Sequence, residues 1–216
     1  MKVNPRSFVF AICAAAALAC TPAAATVLLF DITSDHCTDG CLNGGSGGTV
    51  KVTDNGTGSL IFDIELSGGS QIINTGFDAS FGFNLNGIAA VTYTGVDGTK
   101  FTIPGGNPQP SGNLHMDGTG FFQFGLEGIG SGGSDPLGSS LIFTISAAGL
   151  DFTDIIKNAA GNFFAIDILS GITGNTGAVD VEKEPRTETP EPGSLLLLGI
   201  GIAVLGLARR RISARA

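Results

Sequence analysis

Phe77-Asp78-Ala79-Ser80-Phe81-Gly82-Phe83-Asn84-Leu85-Asn86 decides the fold class, because its apolar side chains fall on every second position. A period of two places Phe77, Ala79, Phe81, Phe83 and Leu85 on one face of an extended chain, with Asp78, Ser80, Gly82, Asn84 and Asn86 on the other. The stretch therefore predicts a half-buried strand. The same alternation returns at Leu60, Phe62, Ile64 and Leu66 against Asp63 and Glu65, and at Leu141, Phe143, Ile145 and Ala147 against Thr144 and Ser146. Shorter runs predict strands over 27–31, 49–53, 88–94, 120–126, 162–169 and 178–182. Turn residues separate them at Asp54-Asn55-Gly56, Asp97-Gly98, 104–108 and 130–136. Many short strands with glycine-rich turns predict an all-β domain, a two-sheet antiparallel sandwich of jelly-roll-like kind. Its core is packed by phenylalanine, since the chain has 15 Phe and no Trp. One short helix is expected over 151–160, capped by Asp151 and stopped near Gly161. No repeat of 20 to 50 residues is visible, which excludes a solenoid or propeller.

The chain has 216 residues, 34 of them glycine, and a net charge of −8 that is unevenly spread. Residues 26–191 hold all 19 acidic residues against five basic ones (Lys51, Lys100, Lys157, Lys183, Arg186), a net charge of −14. So acidic a segment lacks the basic patch that phosphate neutralisation requires, which argues against nucleic acid. Collagen is excluded because the glycines follow no three-residue period.

Both ends read as targeting segments. Residues 1–25 resemble a secretory signal peptide: Lys2 and Arg6, an apolar stretch over 8–19, and small residues at Ala23, Ala24 and Ala25 before a cleavage point. Cys13 and Cys20 fall inside it; a lipoprotein reading of Ala19-Cys20 is disfavoured by Ala17, where such a signal prefers a larger aliphatic. At the other end, residues 194–208 are uncharged and apolar and are followed by Arg209, Arg210 and Arg211. Fifteen helical residues span about 22 Å, short of the ~30 Å hydrocarbon core, so this is a marginal transmembrane helix. The arginines would hold its end in the cytoplasm and leave 26–191 outside.

Pro190-Glu191-Pro192, then this short apolar helix, then the arginine cluster, resembles a PEP-CTERM sorting signal. The resemblance implies an exported bacterial protein recognised by an exosortase, a membrane-embedded transpeptidase that cuts near Pro190, Glu191 and Pro192. It also divides the chain: a signal peptide over 1–25, a β-sandwich domain over 26–182, a polar linker over 183–189 and the sorting signal over 190–216. Gly149-Leu150-Asp151-Phe152, 162–168 and Gly174-Asn175-Thr176-Gly177 are similar, more loosely, to the closing segment of many domains exported this way. A eukaryotic lipid-linked anchor is disfavoured by arginines after the apolar tail.

The densest group of reactive side chains is Asp35-His36-Cys37-Thr38-Asp39-Gly40-Cys41. A Cys37–Cys41 disulfide is expected after export. Zinc is not expected, because the cluster lacks a second Cys or His pair and the other histidine, His115, is distant in sequence. The stretch 128–133 matches the dinucleotide fingerprint in letters, but the following Asp135-Pro136 forms a turn rather than a phosphate-binding helix. No calcium-loop spacing occurs, and neither does a Gly-x-Ser-x-Gly elbow; His115 is the one nameable general base for a secreted hydrolase.

The reading is an exported, non-enzymatic surface or matrix protein without catalytic residues, metal or cofactor. Its expected partners are the Sec translocon, signal peptidase, an exosortase-like enzyme and the membrane through its C-terminal helix. Exopolysaccharide is a candidate partner in a biofilm setting. The alternative is a secreted carbohydrate- or calcium-dependent binding module.

Overall fold

The alternating stretches assemble into two antiparallel sheets in the computed structural model, which describes residues 25–130 and 132–188. The first sheet runs, in spatial order, through Arg186–Glu188 (β17), Thr26–Ile32 (β1), Gly48–Asp54 (β3), Ser59–Leu66 (β4), Ser140–Ser146 (β13), Ala90–Thr94 (β7) and Gln109–Pro110 (β9). The second runs through Ser34–Asp35 (β2), Thr176–Val181 (β16), Phe164–Leu169 (β15), Phe81–Leu85 (β6), Phe124–Gly128 (β12) and Phe101–Thr102 (β8). Ile155–Ile156 (β14) pairs with β6, and Gln71–Ile72 (β5) pairs with β15. A separate hairpin joins Leu114–Met116 (β10) to Gly120–Phe122 (β11).

Cross-strand register explains the core. In the first sheet Leu28, Val52, Phe62 and Phe143 stand opposite one another across four strands. In the second, Phe124, Phe83, Phe164 and Val181 do the same. Phe62 ties the two ladders together: it stacks on Phe143 at 5.0 Å and meets Phe83 at 5.1 Å and Phe164 at 5.9 Å, the last edge to face. Such pairs add about 0.5–1.5 kcal/mol each beyond their buried area. Tyr93 lies in the same layer, and its buried hydroxyl donates to Gln109 Oε1 at 2.6 Å.

The outer face of the second sheet departs from the half-buried strand expected for Phe77–Asn86. All five residues of β6 are buried, and the strand begins at Phe81 rather than Phe77. The reason is a row of minimal side chains, Gly125, Gly82 and Ala165, paired across three strands. The β10–β11 hairpin lies on this row: a Cβ at Gly82 would stand 2.8 Å from Phe122 and 3.0 Å from Met116. Met116, Phe122, Ala79 and Ala165 form a second small apolar cluster there.

Two further expectations are corrected. The helix over 151–160 is a single 3₁₀ turn, Phe152–Asp154, after which Ile155 turns extended and joins β14 against β6. Asp151 caps it as expected, accepting from the Thr153 amide at 2.7 Å while Asp154 accepts from the Asp151 amide, but sheet pairing overrides helix propagation. The strand over 120–126 is two strands, broken at Gln123, whose amide donates to Asn84 Oδ1 at 2.7 Å and whose Oε1 accepts from the Leu85 amide. There the chain leaves the hairpin layer and enters the sheet. The signal and C-terminal helices lie outside the described residues, and no described helix is long and apolar enough to cross a membrane.

Urea unfolding of the mature chain tests the packing. Phe62→Ala is expected to cost about 3–5 kcal/mol and Gly82→Val about 1–3 kcal/mol, while Ile142→Ala at an exposed position stays within about 0.5 kcal/mol. A Phe62→Ala cost no larger than that of Ile142→Ala would overturn this account of the core.

Candidate functional site

The reactive segment 35–41 packs against the turn between β15 and β16. Cys37 and Cys41 are joined by a disulfide with their Cα atoms 5.6 Å apart. Asp39 and Gly40 take left-handed backbone angles (φ 65° and 78°), which close the small loop. The Gly40 carbonyl accepts from Asn175 Nδ2 at 2.8 Å and Thr173 Oγ1 at 3.1 Å, and the Cys41 carbonyl accepts from Ser170 Oγ at 2.7 Å. Asp35 accepts from the Leu42 amide at 3.1 Å. The loop is thus held from both sides, which fixes the position of His36 just before it.

His36 and Asp180 are 144 positions apart in sequence, yet His36 Nε2 lies 2.8 Å from Asp180 Oδ2. β2 brings them together through the pairing of Ser34 with Asp180 and Asp35 with Val179. Glu182, two positions beyond Asp180 and on the same face of the extended chain, accepts from Ser34 Oγ at 3.3 Å. One ligand-type atom from each of His36, Asp180 and Glu182 falls within 4.8 Å of the others.

Asp180 is only 1 % exposed. It continues the Gly125–Gly82–Ala165 row, standing opposite Ala165, so the hairpin that covers the row helps bury it. The hairpin turn also closes on His36: Gly118, at φ +77°, leaves no room for a Cβ, which would stand 2.6 Å from His36 Cβ. Burial pushes the Asp180 carboxyl above the usual range for aspartate, opposed by the hydrogen bond and charge of His36. Its Oδ1 has no hydrogen-bond partner among the described residues.

A second buried carboxyl, Asp167, lies on the same face of the sheet. Its Oδ2 accepts from the Thr75 amide at 2.6 Å and Thr75 Oγ1 at 2.7 Å, while Oδ1 has no hydrogen-bond partner among the described residues. Burial pushes it up to about 6, against the pull of the two Thr75 bonds.

His115 sits on the hairpin, exposed, with its ring 4.8 Å from that of Phe121. Its amide donates to Asp78 Oδ2 at 2.8 Å. The 128–133 stretch ends β12 and enters a 3₁₀ turn at Gly132–Ser134. Ala25 immediately precedes β1; Ala23, Pro190, Glu191, Pro192, Arg209, Arg210 and Arg211 lie outside the described residues. The His36, Asp180 and Glu182 grouping was only half legible in the sequence. The alternation of 178–182 already sets Asp180 and Glu182 on one face, but nothing local links them to His36.

Residues 188–211 match the PEP-CTERM protein-sorting motif. The chain therefore carries this motif at the place the Pro-Glu-Pro, apolar and arginine segments marked. No curated protein and no solved structure matches the chain.

Asp167 makes stability pH-dependent. Its folded value is raised, so the folded state holds the proton more tightly than the unfolded chain, and stability falls as pH rises from about 4 to about 6. Asp167→Asn is expected to remove a fall on the order of 2–3 kcal/mol across that window. Urea midpoints at several pH values compare the two proteins, and parallel profiles would show that the carboxyl is not desolvated in the fold.

Proposed function

We propose that this chain is an exported, non-enzymatic cell-surface or extracellular-matrix protein, delivered through the Sec translocon and sorted by an exosortase-like transpeptidase at Pro190-Glu191-Pro192. The observation that carries the reading is the sorting motif at residues 188–211. In this reading signal peptidase cuts after Ala25, and the apolar segment 194–208 holds the chain in the membrane until processing. The surface or matrix to which the processed domain attaches is exopolysaccharide-rich, as in a biofilm.

The fold supports a tethered domain. β17 pairs antiparallel with β1, Val27 standing opposite Glu188, so the start of the first strand and the end of the last lie side by side. Arg186 donates to Asp31 at 2.8 Å and ties the two strands together. Part of the segment expected as a linker is thus an edge strand, and a single residue, Thr189, separates it from Pro190. With Thr189 alone between this edge strand and Pro190, a short tether at the C-terminal end carries the domain. Its acidic surface disfavours self-association by like-charge repulsion.

A second reading, a carbohydrate-binding module, draws on Phe121, which is 52 % exposed on the hairpin with its ring tilted at 45° to that of His115. An exposed aromatic ring is a surface on which a sugar face can pack. Glycan-array binding by the mature chain that is lost in Phe121→Ala would favour this reading over a purely structural role.

Intact-mass measurement on the protein recovered from cells tests the sorting claim. The mature chain is expected to lack both 1–25 and the residues after the Pro190–Pro192 region, whereas replacing Pro190, Glu191 and Pro192 by alanine leaves Arg215 and Ala216 in place. A wild-type chain that keeps Ala216 in cells with an active sorting enzyme would overturn it.

A further inference from the structure

We propose that His36, Asp180 and Glu182 form a binding site for one divalent cation of zinc type, which clips the last long strand of the domain to its N-terminal segment. Three observations lead there. The first is the ligand set: an imidazole and two carboxylates, each offering an atom within 4.8 Å of the other two. Imidazole favours zinc and its neighbours in the first transition series over calcium and magnesium, and a three-ligand set leaves a position for water.

The second is spacing. Two ligands bonded tetrahedrally to one zinc at about 2.0–2.2 Å stand roughly 3.3–3.6 Å apart, and His36 Nε2 lies 2.8 Å from Asp180 Oδ2, so the pair opens by about half an ångström to admit the ion. The ion takes the place of the hydrogen between these atoms, the imidazole binding as its neutral Nδ1–H tautomer while any further proton on the pair passes to solvent. The third is the unmatched oxygen. Asp180 is 1 % exposed, and Oδ1 of the same carboxyl has no hydrogen-bond partner among the described residues. Buried carboxylate oxygens are nearly always matched by a donor or a cation.

The surroundings hold the ligands in place. The Cys37–Cys41 loop fixes His36 from one side and the Gly118 turn from the other. Asp180 is anchored in β16, and Ser34 Oγ donates to Glu182, an outer contact of the kind that orients a metal-binding carboxylate. Glu182 and His36 are solvent-accessible, so the ion has a path in. The consequence is mechanical. Asp180 and Glu182 sit a few residues before β17 and the sorting motif, so a bound ion fastens that end of the domain to β2.

The test uses the full chain in detergent, stripped with a chelator, with Cys13 and Cys20 alkylated so that they cannot compete as ligands. Zinc is titrated against a chromophoric chelator, and thermal unfolding is followed with and without the ion. One zinc per chain is expected, with a rise in Tm by mass action that equal calcium or magnesium does not give. His36→Gln and Asp180→Asn are each expected to weaken binding by more than about 100-fold, since losing a ligand costs more than the roughly 10–100-fold lost with a ligand's hydrogen-bonding partner, and Glu182→Gln, which keeps a weaker amide oxygen, by about 10-fold. His36 and Glu182 are accessible, so those two variants keep the fold even if Asp180→Asn does not. Absence of zinc binding overturns the proposal, as does unchanged affinity and unchanged zinc-induced Tm rise in both His36→Gln and Glu182→Gln.

Discussion

Phe62 meets both sheets at once, stacking on its cross-strand partner Phe143 and touching Phe81, Phe83 and Phe164 from the facing sheet. Because strand side chains alternate, a one-residue slip of β4 would expose Leu60, Phe62 and Ile64 together and bury Ile61, Asp63 and Glu65 in their place. That penalty fixes the register of β4, and through its pairing with β3 and β13 the register of the whole first sheet. The second sheet is held against it by the Phe124, Phe83 and Phe164 ladder.

Once the inner faces are fixed, the outer faces follow different rules. The first sheet turns alternating polar groups to water, as in Lys51 paired with Asp63. The second sheet carries Gly125, Gly82 and Ala165 in one row, a shallow trough that a hairpin can fill. Filling it takes water away from the acids on the same face, Asp180 and Asp167. A carboxylate in that position either holds a proton, finds donors or meets a cation. Thr75 supplies donors for one oxygen of Asp167, and His36 serves one oxygen of Asp180. The chemistry of this face is therefore a by-product of where side chains are smallest.

The sandwich was legible because its long strands, β1, β3, β4 and β13, each have one wet face, and period-two alternation survives there. Where both faces are buried the signal fails. Phe77–Asn86 read as half-buried because Gly82 and Asn84 look polar by composition, yet the hairpin packs on that side. Asp151 carries a proper cap signal, but the residues after it pair with β6 before a second helical turn can form. The Cys37–Cys41 disulfide was legible from the short spacing together with the expectation of export; it is local, and the structure contains it.

By itself the sequence determined the all-β class, the charge split between domain and tails, the short disulfide loop and the sorting motif, since each rests on composition or on neighbours a few residues apart. Only the tertiary structure decided that the hairpin covers the second sheet, that β17 closes the edge beside β1, and that His36 meets Asp180 across 144 positions. The physical reason is the same in each case. Strand pairing joins segments by backbone hydrogen bonds that any sequence can make, so the partner is chosen by which faces must be buried and which side chains leave room.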